Sequence, residues 1–138
     1  MMKRWLILFC LILAFLPACT PTYEIKNQDI VDMLDEIVQY DDVKRTKAES
    51  LGPDIMIYIY LKDNYTAQSV NDIMQVIMDS ITLEVIEALK KEIKLKSVPN
   101  TLVSFMLKGD TVFRYNGSLK DKSSEQYTWT QEIPMAIE

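Results

Sequence analysis

Apolar and polar residues alternate along this chain with two different periods, which predict helices in some regions and strands in others. From Asn27 to about Asp42, apolar side chains recur every three or four residues, the spacing of an amphipathic helix. Asn27 is suited to cap this helix, and Asp32, Asp35 and Glu36 cover its other side. We interpret that acidic side as a solvated face, because it lacks the glycine and the alternating spacing of a calcium-binding loop.

The clearest predicted strand is Ile55–Leu61, which follows a turn signal at Gly52-Pro53-Asp54. Alternation places two sets of side chains on opposite faces of it: Ile55, Ile57, Ile59 and Leu61 toward the core, and Met56, Tyr58 and Tyr60 away from it. The second set is either covered by a neighbouring element or free to stack on a ligand, so it is a candidate binding surface. The preceding residues 43–51 fit either a polar edge strand or a continuation of the first helix.

The longest helical pattern runs from Thr66 to about Lys94. Unbroken, it would measure about 43 Å, roughly twice the length of a seven-residue strand. We therefore expect either a kink near Ser80-Ile81-Thr82 or a second half that projects from the domain. Its apolar stripe of Ile86, Leu89 and Ile93 would be covered by the C-terminal segment, or by a partner or second copy. This stripe is the second candidate binding surface.

Residues 101–107 and 111–115 flank Lys108-Gly109-Asp110, which predicts a β-hairpin. A two-residue turn at Gly109-Asp110 and a three-residue loop give different registers. We favour the three-residue loop, because it gathers one apolar face: Val103, Phe105, Leu107, Phe113 and Tyr115. Further along, Asn116-Gly117 predicts another turn, 120–125 a polar loop and 126–131 a last strand.

These elements predict a single α+β domain over residues 27–138. We expect one mostly antiparallel sheet of three to five strands, with two helices packed on one face. The order of elements is loosely similar to that of BON domains and of some spore-envelope lipoproteins, a likeness of arrangement alone.

The first twenty residues have a different pattern from the rest. Lys3 and Arg4 precede twelve consecutive apolar residues, Trp5–Leu16. A helix from Trp5 to Cys19 would span about 22 Å, short of the roughly 30 Å hydrocarbon core of a bilayer. The segment therefore predicts a secretory signal peptide rather than a membrane span.

Leu16-Pro17-Ala18-Cys19 resembles the lipobox of bacterial lipoproteins, in which a lipid-bearing cysteine follows a small residue and an apolar one. The resemblance implies that Cys19 carries the lipid, a diacylglyceryl group on its thiol, and that Leu16 and Ala18 are recognised by the signal peptidase. It also implies that residues 1–18 are removed, that 19–26 form a short lipidated tether, and that the domain is extracytoplasmic and lipid-anchored to a bacterial membrane.

Composition limits the chemistry of the mature domain. The 138 residues include no histidine, which excludes His-dependent triads, His-ligated zinc and haem. Because Lys3 and Arg4 leave with the signal peptide, 13 basic and 20 acidic residues remain, and the net charge of −7 disfavours nucleic acid. Met74 and Met78 lie one helical turn apart and are interpreted as core residues rather than copper ligands. We expect no metal and no cofactor.

We therefore expect a membrane-anchored extracytoplasmic lipoprotein that acts as a small binding or assembly module of the cell envelope and is not an enzyme. Its partners would be the membrane, through the N-terminal lipid, and an envelope protein or a second copy. The alternative is a cell-envelope enzyme that uses carboxylate, Ser, Lys or Tyr chemistry without His. The sequence contains no nucleophile elbow, Ser-x-x-Lys pair or phosphate-binding glycine loop.

Overall fold

A computed structural model describes residues 21–121 and 125–134, in which helices pack on a single sheet. The described helices are α1 (Gln28–Ile37), α2 (Ala67–Ser80) and α3 (Leu83–Ile93). The described strands are β1 (Thr22–Glu24), β2 (Val43–Leu51), β3 (Asp54–Leu61), β4 (Thr101–Leu107), β5 (Asp110–Leu119) and β6 (Tyr127–Pro134). The α+β class is confirmed, while the predicted signal peptide, Leu16, Ala18 and Cys19 lie outside the described residues.

The strands lie in the sheet in chain order, from β1 to β6. Neighbouring strands are antiparallel except for β3 and β4, which are parallel. This pair is parallel because α2 and α3 carry the chain back along the sheet between the two strands. The described part of the chain thus has six strands and three helices, so the predictions of three to five strands and two helices were too low.

β1 and β2 form one edge of the sheet. The residue pattern left β2 ambiguous between strand and helix, and it assigned β1 to the tether. Residues 43–51 form β2, which settles the choice between strand and helix. β1 lies within the predicted tether and pairs with β2 from Thr22 opposite Leu51 to Glu24 opposite Glu49. Ile25 follows it and is buried in the core. The domain therefore begins before residue 27, because β1 pairs with the edge of β2.

The helix boundaries follow their capping residues. Asn27 caps α1 as predicted, since its side-chain oxygen accepts a hydrogen bond from Ile30 N at 3.2 Å. The long helical pattern breaks where a kink was expected: α2 ends at Ser80, and the side chain of Thr82 caps α3 by accepting from Val85 N at 3.4 Å. The break allows both halves of the pattern to lie on the same sheet.

The core lies on one face of the sheet, beneath the helices. Ile55, Ile57 and Ile59 of β3 are fully buried and belong to one apolar cluster with residues from all three helices. Ile86 and Leu89 of α3 are fully buried in the same cluster, and Ile93 packs against it. The second candidate binding surface was therefore wrong, because the chain itself covers this stripe.

The hairpin between β4 and β5 has neither of the two predicted loops. Leu107 pairs with Asp110, so the turn consists of Lys108 and Gly109, both with positive φ (51° and 88°), as in a type I′ turn. A β-bulge follows, because Met106 pairs with Thr111 while Phe105 pairs with Phe113. The bulge places Phe113 on the same face as Phe105. Most of the expected apolar face therefore forms, but through a two-residue turn and a bulge instead of a three-residue loop.

Gly117 lies inside β5, where the sequence predicted a turn. The rings of Tyr127 and Trp129 from β6 cross directly over it. A Cβ at position 117 would lie 2.6 Å from Tyr127 Cε1 and 2.9 Å from two ring carbons of Trp129. Glycine is needed here because of this close approach of aromatic side chains, not because the chain turns.

Candidate functional site

The face of the sheet opposite the core is half-buried rather than covered. The register aligns its central side chains in three rows across β2, β3, β4 and β5. The rows are Glu49–Met56–Leu102–Asn116, Lys47–Tyr58–Ser104–Arg114 and Arg45–Tyr60–Met106, and we call these residues the open face. Met56, Tyr58 and Tyr60, the first candidate binding surface, are half-buried at its centre.

Two aromatic rings and a guanidinium group form a platform on the open face. The ring centroids of Tyr58 and Tyr60 lie 6.3 Å apart. The guanidinium carbon of Arg45 lies 3.9 Å from the centroid of the Tyr60 ring, within the range of a cation–π interaction. This contact holds Arg45 against the sheet while its charge stays at the surface.

The middle of the open face contains polar atoms without hydrogen-bond partners among the described residues. These atoms are Ser104 Oγ, Arg114 Nε and Asn116 Oδ1. Ser104 is only 1% exposed, and its strand neighbours in the row are Tyr58 and Arg114. Buried polar groups of this kind are normally paired. These three atoms are inaccessible to solvent, so the described part of the fold leaves them unpaired.

The carboxylate of Glu49 shifts the pKa of two neighbouring groups on the open face. Burial raises the pKa of Tyr58, and the carboxylate of Glu49 raises it further, so its hydroxyl remains protonated and able to donate. Lys47 forms an ion pair with Glu49 at 2.6 Å, and this hydrogen bond raises the pKa of Lys47. Lys47 is therefore matched by a neighbouring carboxylate.

At one end of the open face lies a cavity of about 570 Å³, which we call the basic recess. Its size is in the range of small-molecule sites. Four basic residues line it, namely Lys44, Arg45, Lys62 and Lys108, beside an apolar wall that includes Tyr60 and Met106. Lys108 pairs with Asp63 at 3.1 Å, but both side chains are almost three-quarters exposed, so the pair is weak.

A β-bulge brings two consecutive cations into the basic recess. Val43 pairs with Leu61 and Arg45 with Tyr60, which leaves Lys44 as the extra residue of β2. Regular alternation would place Lys44 and Arg45 on opposite faces of the sheet, whereas both line the recess. Lys62 extends from the end of β3, and its Nζ donates to the backbone oxygen of Asp41 at 2.8 Å.

A second cavity, of about 540 Å³, lies in the helical layer and is acidic. Five carboxylates line it, namely Asp29, Asp32, Glu36, Asp79 and Glu84, and all five residues are exposed. Asp32 and Asp79 each accept a hydrogen bond from a glutamine one turn earlier in the same helix. Within residues 21–121 and 125–134, no group of three or more Cys, Asp or Glu side chains could hold a metal ion.

The sequence pattern identified the β3 part of the open face and missed the rest. Ser104, Arg114 and Asn116 lie in strands whose register was open, so their alignment with Tyr58 could not be deduced. Lys44 and Arg45 lie in the segment that fitted either helix or strand. One sequence feature could have indicated the basic recess. The Lys108-Gly109 pair forms a turn that places a lysine beside the end of β3.

In the described part of the chain, no helix is both long and apolar enough to cross a bilayer. Comparison of the chain with models of known protein families, with curated proteins and with solved structures gives no match.

Proposed function

We propose that this protein is a lipid-anchored extracytoplasmic binding module of the bacterial cell envelope, which holds a negatively charged envelope ligand on its open face. The observation that carries the proposal is the open face itself. It combines the half-buried rings of Tyr58 and Tyr60 with the guanidinium group of Arg45, which lies 3.9 Å from the centroid of the Tyr60 ring. Aromatic surface with a few placed polar groups is typical of binding sites.

The charge of the open face supports an anionic ligand. The whole chain has a net charge of −5, yet Arg45, Lys47 and Arg114 all lie on this face. Lys47 is neutralised by Glu49, whereas Arg45 and Arg114 have no ion pair among the described residues. Two guanidinium groups without an ion pair in the described part of the chain favour carboxylate or phosphate oxygens.

The N-terminal segment supports the anchor. Leu16-Pro17-Ala18-Cys19 resembles a lipobox, and β1 begins at Thr22, three residues after the cysteine. Three residues reach at most about 11 Å. A lipid on Cys19 would therefore keep the β1 edge of the domain close to the bilayer, with the ligand supplied by the surrounding envelope.

The anchor is tested by replacing Cys19 with serine. We expect Cys19→Ser to lose metabolic labelling with a radioactive or clickable palmitate and to leave the membrane pellet. Cys10→Ser is the matched control, because it removes the other cysteine and should leave the labelling unchanged. Persistent labelling of Cys19→Ser, or equal loss in both variants, would contradict a lipid anchor at Cys19.

The binding surface is tested with the full chain in the Cys19→Ser background, so that the lipid does not attach the protein to the membrane, and with isolated envelopes of the source cells. We expect the Arg114→Gln variant to bind envelopes about tenfold more weakly, as for the loss of one charge-assisted contact. Lys91→Gln removes the same charge from the exposed side of α3 and should bind as the wild type does. Equal binding by all three proteins would show that the open face is not the binding surface.

A further inference from the structure

The basic recess collects positive charge in a chain that is acidic overall. Lys44, Arg45, Lys62 and Lys108 line it, and Asp63 is the one carboxylate among its described lining residues. The chain as a whole has a net charge of −5. Like charges gathered at one place repel one another, so this arrangement favours a site whose cations are neutralised by a bound anion.

We infer that the basic recess binds a phosphate group that carries more than one negative charge, such as the phosphomonoester or diphosphate of an organic ligand. A phosphomonoester carries roughly 1.5 to 2 negative charges near neutral pH, whereas a carboxylate carries one. Several cations around one cavity match the higher charge density. Lysine binds phosphate as a point charge, and arginine adds a fork of parallel donors.

Three separate features of the fold direct cations into the recess. The β-bulge at Lys44 turns two consecutive side chains to the same place. The Tyr60 ring holds the guanidinium group of Arg45 at 3.9 Å. Lys108 occupies a left-handed backbone conformation, with φ of 51°, which Asn or Gly would adopt at lower cost.

The remaining wall of the recess fits the organic part of such a ligand. Tyr60 and Met106 line the cavity beside the cations. A sugar or another small organic group attached to the phosphate would pack on this wall while the phosphate contacts the lysines. The volume of about 570 Å³ accommodates both parts.

The source of the phosphate rests on the proposed function, although the site itself does not. Thr22 lies level with Asp54 at one end of β3, and the recess lies at the other end, beside Tyr60. Seven residues of strand separate the two ends by about 23 Å. A lipid on Cys19 would hold the Thr22 end at the bilayer, so the recess faces the envelope rather than the lipid headgroups.

The experiment is a calorimetric titration of the full-length protein, reconstituted in phosphatidylcholine vesicles, with pyrophosphate. We expect saturable binding that weakens at least about tenfold in the Lys44→Gln, Lys62→Gln, Lys108→Gln triple variant. The control is the Lys26→Gln, Lys91→Gln, Lys96→Gln triple variant, which has the same net charge as the first triple variant. It should change the affinity for pyrophosphate less than about twofold. Circular dichroism of both variants checks that they are folded.

Each contrary result has a definite meaning. The site is overturned if pyrophosphate does not bind or if the two triple variants lose the same affinity. Equal affinity for citrate would show an unselective anion site and overturn the preference for phosphate. Loss of pyrophosphate binding in vesicles that contain phosphatidylglycerol would overturn the envelope source in favour of lipid headgroups. The anchor is tested separately by palmitate labelling of Cys19→Ser, so failure of one proposal is distinguishable from failure of the other.

Discussion

The two faces of β3 share one backbone and differ in almost everything else. One face presents Ile55, Ile57 and Ile59, which are fully buried beneath the helices. The other presents Tyr58 and Tyr60, which are half-buried and neighbour cations and unpartnered polar atoms. The isoleucine face belongs to the apolar core, whereas the tyrosine face carries polar and charged side chains at the surface.

The difference extends across the sheet. On the core side, Phe105 packs edge-to-face with Phe113 and Tyr115, with centroids 6.4 and 6.0 Å apart. On the open side, the same two strands, β4 and β5, present Ser104, Arg114 and Asn116. Burying such polar groups without partners opposes folding. The unpaired atoms of these three side chains therefore do not stabilise the fold.

The largest effect should come from truncating one side chain on each face. We expect Ile57→Ala to lower the free energy of unfolding by about 2–5 kcal/mol, because it leaves a cavity in a close-packed core. Tyr58→Ala should cost less than about 1.5 kcal/mol, because its side chain is half-exposed. Urea denaturation measures both values. Equal losses would show that the open face also stabilises the fold.

A second test uses alkaline pH to ionise Tyr127, a residue of β6 that packs on the core side of the sheet. The Tyr127 hydroxyl donates to Gly117 O at 2.7 Å and lies 2.9 Å from Thr101 Oγ1, and burial raises the pKa of Tyr127 to about 12. The pKa of Tyr127 is about 10 in the unfolded chain and about 12 in the folded one. The protonated hydroxyl therefore stabilises the fold fully below pH 10, and this stabilisation is lost as the pH rises through 12. We expect a loss of about 2 kcal/mol over that range.

The matched control for this pH dependence is Tyr127→Phe. It keeps the ring over Gly117 and removes the ionisable hydroxyl. We expect its unfolding free energy, measured in urea at successive pH values, to be lower at neutral pH and to fall less steeply between pH 10 and 12. An unchanged slope would assign the pH dependence to other tyrosines.

Two glycines, Gly117 within β5 and Gly109 in the turn before it, should resist substitution for different reasons. Gly117→Ala should cost about 1–3 kcal/mol, because the new Cβ would overlap the packed rings of Tyr127 and Trp129. Gly109→Ala meets no atom within 4 Å but has φ of 88°, so its cost of about 1 kcal/mol is backbone strain. Thermal unfolding of the two variants, each beside wild type, measures the costs. A tolerated Gly117→Ala would show that β6 is free to move away from β5.

The smallest effect is expected at Lys108, on the open side, and it should be a gain. Lys108→Asn places a residue that tolerates positive φ in the type I′ turn, and we expect about 0.5–1 kcal/mol of added stability. The same change removes a cation from the basic recess and should weaken pyrophosphate binding. Thermal unfolding and calorimetry measure the two effects. A variant that is more stable and binds equally well would show that Lys108 has no role in the recess.

Local pattern was sufficient for several elements. The alternation of Ile55–Leu61, the cap at Asn27 and the break near Thr82 were all predicted from neighbouring residues, because side-chain periodicity and capping act over a few positions. The basic recess was not predicted, because its cations come from β2, the end of β3 and the β4–β5 turn.

The sequence by itself determined which side of β3 would be buried and where the helices begin, since these depend on spacing within single elements. It also supplied the N-terminal segment from which the proposed anchor is inferred. Tertiary structure alone decided that β1 joins the sheet, that α3 is covered, and that Gly117 lies beneath aromatic rings. These outcomes depend on contacts between segments far apart in the chain, namely strand pairing at both edges of the sheet and the packing of α3 on the core.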